Sequence, residues 1–202
     1  MVFGVAAGFG LSRWRCRARD VIDSLLMLPL VLPPTVLGYY LFVLLGRRGV
    51  IGAGLDRFDI QLVFTWQGAV IASKVVAFPL VLKSARAAFE SVDPQLERAA
   101  RTLGVSEIAL FFRVTLPLAT RGILAGGLLA FARALGEFGA TLMIAGNLPG
   151  RTQTLSVAVY SAVQAGEDST ANFLVLRTSV TCVVILLLAG RLVPQHTLLS
   201  SR

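Results

Sequence analysis

Apolar residues in this chain fall into blocks separated by short polar or charged segments. Residues 21–46, 62–83, 116–146 and 171–190 form runs near the roughly 20 residues that carry a helix across a bilayer. Each run predicts a membrane span. Residues 1–12 (MVFGVAAGFGLS) are apolar but too short to cross. Their basic residues follow the apolar run and no A-x-A site is evident, so they read as the second half of a membrane helix, not a signal peptide. Residues 155–165 (LSVAVYSAVQA) have the length of a re-entrant or interfacial piece. The pattern predicts an all-α, polytopic bundle of about four full spans plus a truncated first helix, with 1–202 as one transmembrane domain.

Within the first long run, Pro29, Pro33 and Pro34 predict a kinked helix whose freed carbonyls find partners in neighbouring helices or water. The Pro33-Pro34 pair is either a static kink or a hinge. Residues 47–61 and 147–154 read as polar loops.

Composition agrees with the pattern. Hydrophobic residues make up 55% of the 202, charged residues 15%, and mean hydropathy is +0.76. A soluble domain needs more polar surface. The net charge of +8 invites a nucleic-acid reading, but no basic patch is interleaved with aromatics, so no nucleic-acid partner is expected. The cations sort by side instead. If Arg13–Asp20 faces the cytoplasm, alternation places the 83–121 segment and the C-terminus there too. That side then holds twelve Lys and Arg residues, and the other holds Arg47, Arg48, Arg57 and Arg151. The bias obeys the positive-inside rule and predicts membrane lipid as the surroundings. Cys16 and Cys182 lie in dissimilar settings and His196 is the lone histidine, which argues against a disulfide, a metal site or histidine-based chemistry.

One segment breaks the apolar pattern. Residues 96–117 read LERAARTLGVSEIALFFRVTLP. Asp93 is placed to cap a helix opening at Pro94. Leu96, Ala99, Ala100 and Leu103 then share one face, and Glu97, Arg98 and Arg101 the other. Gly104 permits a left-handed stop, Ser106 restarts a helix, and Pro117 marks entry into the next span. The prediction is two short helices at an angle, small residues on the first and aromatics on the second.

This run resembles the cytoplasmic EAA loop of ABC importer permeases: Glu-Ala-Ala, three residues, Gly, nine residues, Ile-x-Leu-Pro. Ala99, Ala100, Gly104, Val114, Leu116 and Pro117 match the spacing, while Arg98 stands in the first position with Glu97 one place earlier. Residues 23–52 and 131–160 look like molybdate ABC transporter permeases, and sulfate/thiosulfate permeases share the ARALGEFGA-like stretch. The resemblance implies the permease fold, a coupling loop at about 84–116, and location in a bacterial cytoplasmic (inner) membrane. It also implies two ABC ATPase subunits, a second copy of this chain, and a periplasmic or lipid-anchored oxyanion-binding protein. ATP and Mg would sit in the ATPase subunit, with no cofactor on this chain. The implied cargo is molybdate, with tungstate, nearly equal in size and charge, sharing the pathway; the alternative substrate is sulfate or thiosulfate. A structural membrane subunit without a transport role leaves the loop spacing unexplained.

Few residues offer pathway chemistry. Arg133 and Glu137 stand i,i+4 and can pair. A carboxylate repels an anion, so the pair reads better as a bracket between helices, or as part of a gate, than as a binding site. Thr35, Thr141 and Asn147 could offer hydrogen bonds to a passing tetrahedral anion. Lys74 lines the pathway, snorkels, or neutralises a neighbour. Arg177 reads as an interfacial anchor. No G-x-x-x-x-G-K-[ST] motif occurs and no catalytic constellation is present, so the chain is read as a non-enzyme driven by ATP from a partner.

Overall fold

The structure, a computed structural model, describes residues 1–13 and 18–192. The readings on Arg15, Cys16, Arg17, His196 and Arg202 lie outside them. Among the described residues there are eleven α-helices, one π-helical turn and no strand. Three helices are long and apolar enough to cross a membrane: α5 (Trp66–Glu90), the continuous stretch Glu107–Leu135, and α11 (Asp168–Leu192). A fourth span is possible only as a bent pair, α2 (Ala18–Val31) with α3 (Pro34–Leu45). The remaining α1 (Val2–Arg13) and α10 (Leu155–Gln164) are apolar but short.

The run 21–46 is a broken helix and not a kinked one: its halves meet at 106°. A residue that precedes proline is pushed out of the α region, and Leu32 and Pro33 both precede one. Pro33 is extended (φ −53°, ψ 135°), and Pro34 opens α3 at a position where a missing N–H costs nothing. Pro29 and Pro79, by contrast, stay inside α2 and α5. The run 116–146 is also broken. α8 (Leu116–Leu135) ends, the chain turns through Gly136, Glu137 and Phe138, and α9 (Gly139–Ala145) follows. The expected 47–61 loop holds a short helix, α4 (Val50–Asp56).

The described chain divides into two compact units, and the divisions fall within helices. The first comprises the described residues of 1–23, 80–130 and 184–192. Its core is Ala85, Ala88, Phe89, Val92, Ala119 and Ile123, with Val5, Phe9, Phe111 and Leu116 packed on it. Small residues let helices touch there, as they must where lipid supplies no hydrophobic drive between helices. A Cβ at Gly126 would come within 2.0 Å of the Ser84 Cβ.

The second unit comprises Ser24–Pro79 and Phe131–Val183. Its core joins Leu37 and Leu45 of α3, Ala69, Ala72 and Val76 of α5, and Ala140, Ile144 and Ala145 of α9. The C-terminal end of α9 is fixed in two ways. The Phe64 N–H donates to the Ile144 carbonyl at 2.8 Å, and Gly146 leaves the helix with φ +69°. In the best apolar window of α11 only 11% of residues are buried, as suits a helix facing lipid.

Helix α3 crosses α9 at Gly38, where an added Cβ would stand 2.7 Å from the Met143 Cβ and 2.8 Å from the Ala140 Cα. Gly38→Ala is expected to destabilise the fold by about 1–3 kcal/mol through overpacking. Gly54→Ala, which meets nothing within 4 Å, is expected to leave the thermal unfolding midpoint in detergent unchanged or slightly raised.

Candidate functional site

The charged segment between α5 and α8 folds from local signals. Asp93 caps α6 (Pro94–Thr102), its side chain accepting from the Gln95 N–H at 2.8 Å. The helix ends in a Schellman turn: Gly104 has φ +75°, its N–H donates to the Arg101 carbonyl at 3.0 Å, and the Val105 N–H donates to the Ala100 carbonyl at 3.2 Å. Ser106 then caps α7 (Glu107–Leu110) by accepting from the Ala109 N–H.

The second helix is not a separate short one. α7 passes through the π-turn Phe111–Thr115 into α8 without a break, and Pro117 lies inside the continuous helix. A proline cannot donate to the carbonyl four residues back and crowds it. The wider π-turn immediately before it, closed by the Leu116 N–H on the Phe111 carbonyl, carries the helix past that position.

The faces of α6 also differ from the sequence reading. Glu97 and Ala100 point inward, while Leu96, Arg98, Ala99 and Leu103 are exposed. Glu97 is 4% exposed. It is buried because its charge is compensated. Oε1 accepts from Arg13 Nη2 at the end of α1 and from Thr115 Oγ1 at 2.8 Å, and Arg101 Nη2 lies 3.9 Å from Oε2. Arg101 is itself gripped by Glu107, with Nε–Oε1 at 2.6 Å and Nη2–Oε2 at 3.1 Å. The Arg13 hydrogen bond holds the Glu97 carboxyl below its ordinary range; burial opposes this, and Thr115 and Arg101 reinforce it. Beneath this polar cluster, Phe9 packs edge-on to Phe89 and Phe111 at 5.2 and 4.6 Å, and the Arg13 guanidinium sits 5.6 Å over the Phe9 ring.

The outward surface is apolar. Leu103 is 82% exposed, Ile108 75% and Phe112 62%, with Leu96 and Ala99 beside them on α6. Of the other loop residues, Arg98 and Pro117 are exposed, and Val114 and Leu116 are half-buried. Sequence periodicity grouped Ala100 with Leu96, Ala99 and Leu103, whereas the structure turns it inward beside Glu97. Periodicity missed Arg13 and Thr115, because neither lies near Glu97 in sequence.

The pathway residues separate in the second unit. Arg133 Nη1 donates to Glu137 Oε2 at 2.8 Å. Glu137 is 2% exposed, and its Oε1 accepts from the Ala140 N–H at 2.9 Å, so one carboxylate pairs with Arg133 and closes the first turn of α9. Buried Thr141 donates back to the Phe138 carbonyl at 2.8 Å. Asn147 donates to Ser161 Oγ at 2.7 Å and accepts from Gln153 Nε2 at 2.9 Å, tying its loop to α10. Thr35, in the first turn of α3, Lys74 on α5 and Arg177 on α11 are exposed. Among the described residues no cluster of His, Cys, Asp and Glu is arranged to hold a metal.

Several apolar spanning helices, with a capped helix-turn-helix inserted between two of them, define a multi-pass membrane permease. The chain belongs to the family described as binding-protein-dependent transport system inner membrane component, which it matches over residues 1–196. It is 45% identical over 188 residues to the molybdenum transport system permease protein ModB of Escherichia coli K12, covering 92% of this chain and 82% of that one. A putative molybdenum transport system permease protein, YvgM of Bacillus subtilis strain 168, is 43% identical over 187 residues, covering 92% and 80%. The sulfate transport system permease protein CysT of Salmonella typhimurium LT2 is 36% identical over 163 residues, covering 81% and 59%. The permease fold recurs in a bacterial alginate ABC transporter crystallised with an alginate pentasaccharide-bound periplasmic protein. The TM-score is 0.70 at 16% identity, covering 93% of this chain and 69% of that one.

Glu97→Gln is expected to cost about 1–3 kcal/mol by weakening charge-assisted hydrogen bonds to a buried group. The pH dependence follows from the sign of the shift. The folded carboxyl titrates below its ordinary value of 4.5, so its contribution is complete above that value and is lost as pH falls through the folded one. Thermal unfolding scanned from about pH 7 to about pH 3 should show unaltered protein and Glu97→Gln converging at the acid end.

Proposed function

We propose that this protein is the membrane subunit of an importer that moves molybdate into the cytoplasm, driven by ATP hydrolysed in a partner subunit. The observation that carries this reading is the higher identity to molybdenum permeases than to sulfate permeases, over nearly the whole chain. The chain is not itself the ATPase. The lack of a phosphate-binding glycine loop in its sequence supports this. ATP and Mg bind in the partner, of which two copies serve two copies of this chain. A periplasmic or lipid-anchored binding protein delivers the anion from outside.

The helix-turn-helix 94–110 is the docking element for the ATPase. Its exposed Leu103 and Ile108, with Phe112 just beyond it in the π-turn, offer apolar anchors, and Ala99 lets a partner surface approach closely. It faces the cytoplasm with the C-terminus, a placement supported by the distribution of Lys and Arg. ATP-driven closure of the partner displaces this element and with it the helices it joins. Near-complete switching between inward- and outward-open states calls for about 5.5 kcal/mol of differential binding. Thr35 and Lys74 are exposed and remain candidates for the pathway lining. The Arg133–Glu137 pair braces the α8–α9 break.

The test is ATP hydrolysis by the reconstituted complex with molybdate-loaded, sulfate-loaded and empty binding protein. Stimulation by molybdate alone is expected. Stimulation by sulfate alone would move the protein to the sulfate branch. Leu103→Glu is expected to weaken docking by about 2 kcal/mol or more, read as loss of co-purifying ATPase.

A further inference from the structure

Glu97 binds two groups that do not belong to its own helix: Arg13, from the last turn of α1, and Thr115, from the π-turn at the base of the α8 span. Both meet the same oxygen, Oε1. One buried atom therefore links α6 to the π-turn 18 residues on and to α1, 84 residues back. The links differ in character. Arg13 supplies a charge that keeps Glu97 ionised out of water, and Thr115 supplies a directional hydroxyl bond.

The surroundings restrict how these segments can move. Beneath the carboxylate, Phe9, Phe89 and Phe111 lock α1, the end of α5 and the π-turn through ring contacts. Above it, Arg101 is fixed to Glu107 by two hydrogen bonds. A cavity of about 140 Å³, lined by residues that include Arg13, Arg101, Glu107 and Thr115, lies alongside. Phe9 and Phe111 line the same cavity, so free volume borders both the polar contacts and the rings beneath them. π-turns inside α-helices occur frequently at functional sites.

We propose that Arg13 and Thr115 are positioning residues for coupling: through Glu97 they make α1 and the base of α8 follow α6. This rests on the reading of residues 94–110 as the ATPase docking element. Neither residue touches the docking surface or a transported anion. Each acts on the angle at which α6 is presented and on which helices receive its displacement. The route adds α1 to the direct covalent path from α6 through the π-turn into α8.

The experiment uses the reconstituted complex with molybdate-loaded binding protein. It compares the unaltered chain with Arg13→Gln, Arg13→Lys, Thr115→Val and Thr115→Ser. Thr115→Val keeps the shape and removes the hydroxyl, and Thr115→Ser keeps the hydroxyl. Arg13→Lys keeps the charge. Four readouts are taken: co-purified ATPase, basal hydrolysis, stimulated hydrolysis and molybdate transported per ATP. Arg13→Gln and Thr115→Val are expected to retain the ATPase and basal hydrolysis. Their transport per ATP should fall about tenfold, the scale of one charge-assisted hydrogen bond. Arg13→Lys and Thr115→Ser should recover most of it. Normal transport per ATP in Arg13→Gln and Thr115→Val overturns the proposal, as does an equal loss in all four variants, which would signify packing alone. Failure of the unaltered complex to respond to molybdate would instead overturn the functional reading itself, and the proposal with it.

Discussion

A carboxylate removed from water is costly unless it is paired and hydrogen-bonded, and Glu97 meets that demand by drawing two other segments to its own helix. Arg13, Thr115 and Arg101 surround it, and their convergence sets the arrangement of the loop. With Glu97 and Ala100 turned inward, Leu96 and Ala99 turn outward. Leu103 then stands in the open with Ile108 and Phe112. In isolation an exposed leucine means little. Here several gather on one capped, rigid element, and such a patch marks a surface for association.

The second unit uses the same device on a smaller scale. Glu137 is buried, pairs with Arg133 and accepts from the Ala140 N–H. The backbone at residues 136–138 leaves the helix, and an irregular turn at membrane depth survives only where its polar groups are satisfied within the protein. Thr141 contributes by donating to the Phe138 carbonyl. The pair is therefore tied to a break in the helix more than to an anion. In both units a carboxylate joins elements that the backbone alone would leave apart.

Proline and glycine divide the rest of the work. Leu32 and Pro33 both precede proline, and the chain bends by 106° there. Pro29 and Pro79 stay inside helices, because a single missing hydrogen bond can be absorbed by tertiary packing. Pro117 is also absorbed, at the cost of a π-turn. Identical residues thus end a helix, bend it or widen it according to their neighbours.

Much of this was legible in the sequence. Apolar block length gave the membrane class, because bilayer thickness fixes span length. Asp93, Pro94, Gly104 and Ser106 gave the ends of α6 and the start of α7, because caps and left-handed turns depend on near neighbours. The i,i+4 spacing gave the Arg133–Glu137 pair. Tertiary structure alone decided which face of α6 is buried. Periodicity grouped Leu96, Ala99, Ala100 and Leu103 without saying which face turns in; Arg13, 84 positions away, pairs with Glu97, and that side is the buried one. It also decided that residues 116–146 break, that α7 runs on into α8, and that Asn147 bonds to Ser161. Local chemistry fixes where a helix starts and stops, while partners distant in sequence fix how it is turned, and those partners meet only once the chain has folded.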